Sequence, residues 1–277
     1  MSEQKLKVYR VLFFDSGVGG LSVYQEVKKI NPNIESYYLF DNEAFPYGRK
    51  TEDYLIERIR NIIQQALNNF NPDLIVIACN TASTIALPTL RALTDVPIVG
   101  VVPAIKPAAA KSRKKIIGLL ATPGTVKRVY TRKLIADFAS NCKVLPVSSE
   151  HLAEIAENYI TEHFIDKSAL ARELAPLTSL KEADQPDVLV LGCTHYPLVK
   201  AYIQELLPEI KLIDSGNAIG RRVASLLSRK IPRNTIVDIE NRAYYTGVLK
   251  DYSAREKTFK ENGYIFLKNF IIKNNKL

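Results

Sequence analysis

The segment Pro72-Asp73-Leu74-Ile75-Val76-Ile77-Ala78-Cys79-Asn80-Thr81 returns 114 residues later as Pro186-Asp187-Val188-Leu189-Val190-Leu191-Gly192-Cys193-Thr194-His195. Each copy is a short, wholly apolar run that ends in a cysteine and then turns polar, the pattern of a strand buried on both faces and capped by a loop. Phe13-Phe14-Asp15-Ser16-Gly17 and Leu119-Leu120-Ala121-Thr122-Pro123-Gly124 form a second, looser echo. A chain that repeats strand ends at this distance is expected to contain two similar α/β lobes.

Further apolar runs fit that frame. Strands are expected at Val8 to Asp15, Ile34 to Phe40, Leu74 to Cys79, Ile98 to Val102, Ile116 to Ala121, Lys143 to Val147, Val188 to Cys193 and Lys211 to Asp214. Helical patterns separate them, which predicts βα units and mainly parallel sheets flanked by helices. The clearest helix runs from Thr51 to Phe70, with Leu55, Ile59, Ile62, Ile63, Leu67 and Phe70 on one face and Glu52 and Asp53 in its first turn. Others are expected after Gly19, Thr81, Thr125, Ser149, Asp166, Pro197 and Gly216, with Asn31-Pro32 closing the first of these. The first lobe should comprise 1–100 plus 213–277 and the second 101–212, with the site in the cleft between them.

The 277 residues hold 47% hydrophobic side chains, enough for a sizeable core. No apolar run is long enough to span a bilayer and the N-terminus has no leader pattern, so the expected location is cytoplasmic. Three cysteines without a Cys-x-x-Cys pair, and no clustered histidines, argue against zinc and against a disulfide scaffold. The net charge is +9, but residues 220–277, with 13 basic and 5 acidic side chains, carry +8 of it. That region is read as solvated surface, with polyanion binding as the alternative.

A lone buried cysteine is ordinarily a small hydrophobe. Two of them at equivalent strand ends, each followed by Thr or Asn-Thr, suggest chemistry instead, because strand carboxyl ends line the crevice of open α/β sheets. Two thiols facing each other across a cleft suit inversion of a stereocentre: one removes a proton and the other delivers one to the opposite face. His195, beside Cys193, and Asp15, at the end of the first strand, are the candidate helpers. Cys142, His151 and His163 have no such setting and are read as structural.

Asp15-Ser16-Gly17-Val18-Gly19-Gly20 follows a strand and opens a helix, so its N–H groups could hold an anion. It is not the dinucleotide fingerprint, since Ser22 stands where the third glycine is required. With Asp15 for an ammonium and Ser16, Asn80, Thr81 and Thr194 for carboxylates, a small zwitterion is the better fit. Asp214-Ser215-Gly216 reads as a plain βα turn.

Taken in order, Phe14-Asp15-Ser16-Gly17-Val18-Gly19-Gly20, Pro46-Tyr47-Gly48, Cys79-Asn80-Thr81-Ala82-Ser83, Ala121-Thr122-Pro123-Gly124-Thr125 and Gly192-Cys193-Thr194-His195-Tyr196-Pro197 resemble the bacterial glutamate racemases of the aspartate/glutamate racemase superfamily. The resemblance runs from Val11 to about Leu227. It implies an enzyme needing neither pyridoxal phosphate nor metal, interconverting L- and D-glutamate for peptidoglycan synthesis. Cys79 would take the proton from D-glutamate and Cys193 from L-glutamate. Asp15, Ser16, Tyr47, Gly48, Asn80, Thr81, Thr194 and His195 would contact substrate, with Glu150 and Thr125 in secondary roles. Glu150, read from sequence alone, is a first-turn helix acid.

At Val101-Val102-Pro103-Ala104-Ile105-Lys106-Pro107 and Gly124-Thr125-Val126-Lys127-Arg128 the chain resembles relatives of the enterobacterial type, some of which respond to a UDP-linked cell-wall precursor, and the resemblance makes such a precursor a candidate effector. A homodimer is the expected state, with no membrane partner and no nucleic acid. Two alternatives stay open at this point: another racemase or decarboxylase of the superfamily, acting on aspartate or a hydantoin, and a binding protein whose basic end engages a polyanion.

Overall fold

The computed structural model describes residues 8–227 and 239–273. Parts of the basic stretch, 228–238 and 274–277, lie outside the described residues. The chain runs β1 (Tyr9–Asp15), α1 (Leu21–Ile30), β2 (Ile34–Phe40), α2 (Glu52–Phe70), β3 (Leu74–Ile77), α3 (Asn80–Leu93), β4 (Ile98–Gly100) and α4 (Ile105–Lys111). It continues through β5 (Ile116–Ala121), α5 (Pro123–Lys127), α6 (Val129–Phe138), β6 (Lys143–Ser148), α7 (Leu152–Glu162), α8 (Lys167–Thr178), β7 (Val188–Leu191), α9 (Lys200–Leu206) and β8 (Lys211–Ile213). It closes with α10 (Gly216–Leu226), β9 (Asn241–Tyr245), α11 (Tyr252–Glu261) and β10 (Tyr264–Asn269).

Two parallel sheets result, ordered β10-β9-β2-β1-β3-β4 and β6-β5-β7-β8. The α/β architecture of two parallel sheets flanked by helices is the one expected. Every residue of β1 from Val11 on is buried, as both faces of the strand are covered. Leu12 and Phe14 pack with Leu55, Ile59, Ile62 and Ile63 of α2. Val11 and Phe13 point the other way, into Tyr24 and Val27 of α1, Val223 of α10 and Phe259 of α11. Each fully buried side chain of this size is worth about 1.5–3 kcal/mol. The second sheet repeats the arrangement, with Leu120, Leu189 and Leu191 on one side and Leu119, Val188 and Val190 on the other.

In both sheets the strand order reverses at a central strand, β1 between β2 and β3, and β5 between β6 and β7. Beyond the carboxyl ends of such a switch the adjacent loops diverge and leave room for a ligand. Asp15 ends β1 and Cys79 follows β3; Thr122 follows β5 and Cys193 follows β7.

Several expected boundaries are corrected. Cys79 and Cys193 each stand two residues past their strands, so neither cysteine is part of a ladder, and Cys79 occupies the N-cap position of α3. His151 is the N-cap of α7 and His163 its left-handed C-cap (φ 52°), so neither lies within the helix. Elements not anticipated are α4, α5, β9, α11 and β10. β9 has no continuous apolar run and buries only Asn241 and Ala243; β10 has one, Tyr264–Leu267, but Ile265 is exposed and its pairing shifts register between Tyr264 and Leu267. Among the described residues no helix is long and apolar enough to cross a membrane.

Candidate active site

The turn after β1 is shaped by what presses on it. A Cβ on Gly17 would lie 2.8 Å from Glu157 Oε2 and 3.0 Å from His195 Nε2, and one on Gly19 would lie 2.7 Å from Cε1 and Cγ of the His195 ring. Glycine is needed there because a buried imidazole and carboxylate of the other lobe lie directly against the backbone. The anions held by this turn are the protein's own: Val18 N–H donates to Glu157 Oε2 (3.2 Å) and Gly20 N–H to Asp15 Oδ2 (2.6 Å).

The two thiols are reduced and buried, with Cys79 5% and Cys193 8% exposed. Cys79 Sγ lies 3.9 Å from Ser16 Oγ, and Cys193 Sγ lies 3.7 Å from His195 Nδ1. Asn80, the neighbour of Cys79 in the chain, lines one small recess together with Cys193, Thr194 and Ser22. Asp15 joins the two halves, since Thr194 Oγ1 donates to its Oδ2 at 3.5 Å. Its second oxygen, Oδ1, is buried without a partner among the described residues, as is Asn80 Oδ1. Two unpartnered acceptors beside two thiols are what a cationic ligand would satisfy.

The thiols have opposite surroundings. Burial, reinforced by the Asp15 charge, pushes Cys79 well above the ordinary thiol range. Asp15 itself is pushed by burial up to about 6, although the His195 charge and hydrogen bonds from Ser16, Cys79 and Gly20 oppose the shift. On the other side His195 Nε2 is 2.6 Å from Glu157 Oε2, and Glu157 Oε1 is ion-paired with Arg255. Burial disfavours a charged His195, but hydrogen bonds to Cys193 and Glu157 and the Glu157 charge outweigh it and hold the imidazole well above its usual range. Burial likewise opposes the Glu157 anion; His195 and Arg255 overcome it and bring that carboxyl down to about 2.

A hydroxyl cluster roofs the Cys79 side. Thr81 Oγ1 is 3.3 Å from Thr122 Oγ1 and 3.4 Å from Thr125 Oγ1, and all three are buried. Gly48 packs on Thr122, which a Cβ there would approach to 2.9 Å. Tyr47 is buried, and its hydroxyl donates to Asp41 Oδ2 (2.7 Å); Arg58 grips the same carboxylate with two 2.6 Å bonds, Nε to Oδ2 and Nη2 to Oδ1. Tyr47 therefore sets the position of the Pro46-Tyr47-Gly48 backbone.

Thus Asp15, Ser16, Asn80, Thr81, Thr125, Thr194 and His195 gather around the two cysteines, and Glu150 does not. It stands in an exposed bend ahead of α7, touching Arg49 only through its carbonyl oxygen, so it is not the first-turn acid expected of it. The acid that α7 sends inward is Glu157, 4% exposed. Sequence reasoning missed it along with Thr122 and Arg255. A signal existed, since Ala153, Ala156 and Ile160 define the inner face of α7 and Glu157 falls among them, an acid where an apolar residue is ordinary. A surface recess of about 990 Å³, lined by Tyr54, Arg58, Arg60 and Phe270, contains neither cysteine. Among the described residues no group of three or more His, Cys, Asp and Glu is arranged to hold a metal ion.

Residues 20–223 match the family described as Asp/Glu/hydantoin racemase. A glutamate racemase of Klebsiella pneumoniae is 49% identical over 235 residues, covering 84% of this chain and 82% of that protein. One of Pasteurella multocida is 47% identical over 264 residues, covering 95% and 97%. Among solved structures, Escherichia coli glutamate racemase in complex with L-glutamate and the activator UDP-MurNAc-ala superposes with a TM-score of 0.90 at 43% identity, covering 97% of this chain and all of that one.

Proposed function

The chain belongs to the Asp/Glu/hydantoin racemase family, an amino-acid racemase and hence an isomerase, and from that premise we propose that it interconverts L- and D-glutamate by passing protons between Cys79 and Cys193. The observation that carries this reading is the pair of buried thiols near Asp15, whose Oδ1 has no partner among the described residues. The substrate ammonium takes that oxygen. Its carboxylates take the neutral donors Ser16, Asn80, Thr81 and Thr194, together with the backbone at Tyr47-Gly48.

For L-glutamate, the Cys193 thiolate removes the α-proton, the electron pair is held as an enolate-like carboxylate, and the Cys79 thiol delivers a proton to the opposite face. Cys79 is then the thiolate that begins the reverse reaction. The surroundings fit these opposite roles: Cys79 beside a carboxylate is held as a thiol, while Cys193 faces a protonated His195 that can stabilise a sulfur anion. Asp15 and His195 touch reacting groups and are assigned catalytic roles, and Thr125 and Thr122 support Thr81.

The closed site, with all its polar side chains buried, requires the lobes or their loops to part for exchange. The same proposal assigns 1–100 plus 213–277 to one lobe and 101–212 to the other, a homodimeric state to be read by sedimentation, and a supply of D-glutamate for the cell wall, to be read as D-glutamate auxotrophy on depletion. Activation by a UDP-linked muropeptide precursor is proposed from the E. coli relative, and titration with UDP-MurNAc-Ala tests it.

The deciding experiment incubates each glutamate enantiomer with purified protein in D₂O without added cofactor. Racemisation with deuterium at the α-carbon is expected, and Cys79→Ser and Cys193→Ser should each lower turnover by about 10²- to 10⁴-fold. Exchange of aspartate with glutamate inert would overturn the substrate; full turnover in either serine variant would overturn the two-thiol mechanism.

A further inference from the structure

The third charge behind Cys193 comes from a part of the chain that the active-site motifs do not include. Arg255 lies on α11, in the extension that adds β9 and β10 to the first sheet, yet it reaches across to α7 of the other sheet's lobe to pair with Glu157 Oε1. Its side chain is only 11% exposed, and Thr258 of the same helix donates to the Ile160 carbonyl of α7 at 3.3 Å. The helix is therefore fixed against α7 at two points, with the guanidinium between the lobes.

We propose that Arg255 is a positioning residue for the Cys193 half of the reaction, holding Glu157 as an anion against His195 and supplying the positive charge that lets the cluster carry a thiolate. The inference rests on the two-thiol reading above. The argument is one of charge balance. Glu157 accepts from His195 and Val18 on one oxygen and from Arg255 on the other. Arg255⁺, Glu157⁻ and His195⁺ together carry +1, which a thiolate at Cys193 cancels. Without Arg255 the same state carries −1 in a buried site that already holds the Asp15 carboxyl, a charge balance that disfavours a further anion there.

The groups facing this cluster from the surrounding elements are Asp15 at the end of β1, Tyr38 of β2, whose hydroxyl donates to the Gly17 carbonyl (2.9 Å), and Cys193 after β7. Phe45 covers the His195 ring at a centroid distance of 5.6 Å and brings no charge. Arg255 is thus the sole cation besides His195 that touches Glu157 among the described residues.

The test compares wild type with Arg255→Met, Arg255→Gln and Arg255→Lys, measuring kcat and KM for glutamate from pH 5.5 to 9.5. Loss of charge should lower kcat at pH 7 by about tenfold or more and move the acidic limb of the rate profile upward by about one pH unit, with KM nearly unchanged. Arg255→Gln keeps a hydrogen-bond donor without the charge and should behave like the Met variant, whereas Arg255→Lys should return the limb toward its wild-type position. A limb unmoved in both Met and Gln variants would overturn the proposal while leaving wild-type racemisation, and so the two-thiol reading, intact. If Arg255→Met fails to fold, the Gln and Lys variants carry the comparison. A wild type that does not racemise glutamate would instead remove the reading on which the inference rests.

Discussion

Asp15→Asn should make the protein more stable at neutral pH while nearly abolishing its activity. Asp15 is wholly buried, one oxygen has no partner, and its carboxyl is pushed up to about 6 against an ordinary 3.8. An acid whose folded value lies above its unfolded one favours the folded state only when protonated. Its ionisation therefore costs nothing below about 3.8, costs progressively more as pH rises, and costs in full above about 6. The difference of roughly 2 in pKa corresponds to about 3 kcal/mol. Asparagine keeps an oxygen to accept the Gly20 N–H bond and carries no charge to desolvate, so the variant recovers most of that energy. Urea unfolding at pH 4, 5, 6, 7 and 8 reads the effect. The two proteins should coincide near pH 4, and by pH 7 the variant's midpoint should be higher by about 1 M, for a slope of about 3 kcal/mol per M. Its kcat/KM should fall by at least about 10²-fold, because the substrate ammonium loses its counter-charge. A variant less stable than wild type at pH 7, or a gap that does not grow with pH, would refute the assignment of strain to this carboxylate.

Three further outcomes are expected. Gly19→Ala places a methyl group within 2.7 Å of the His195 ring and should cost about 10²-fold in kcat by displacing the imidazole, read by steady-state kinetics beside an unchanged far-UV spectrum. Among the described residues Arg58→Met leaves the buried Asp41 carboxylate with Tyr47 and Thr246 as its side-chain donors, and the change should cost about 3–5 kcal/mol in urea unfolding and raise KM as the Tyr47-Gly48 backbone loosens. Asn241→Ala removes the acceptor of the buried Ser36 N–H and hydroxyl and the donor to the Gly263 carbonyl, so about 3 kcal/mol should be lost, with faster amide exchange along β9 and β10.

The strands that cross the centre of each sheet were legible because burial on both faces demands an unbroken apolar run, and β1, β2, β3, β5 and β7 all have one. The half-exposed β9 and the edge strand β10 meet no such demand, and they fall in the stretch that reads as basic surface. The two cysteines were legible for a different reason: the same strand-to-loop transition occurs twice, and a repeat shows up in one dimension. Glu157 shows in the sequence as an acid on the apolar face of α7, but its pairing with Arg255 is found by geometry alone. The two lie 98 positions apart, on helices that pack into different core clusters, and become partners only when α11 packs on α7.

Local sequence thus determined the α/β alternation, the doubling of the lobe and the identity of the two thiols, since each depends on side-chain period or on residues adjacent in the chain. Which carboxylate stands behind His195, which oxygen of Asp15 stays open and how the two thiols differ in charge environment were decided by tertiary packing. These properties arise from desolvation and from contacts between distant segments, and neither leaves a trace in residue order.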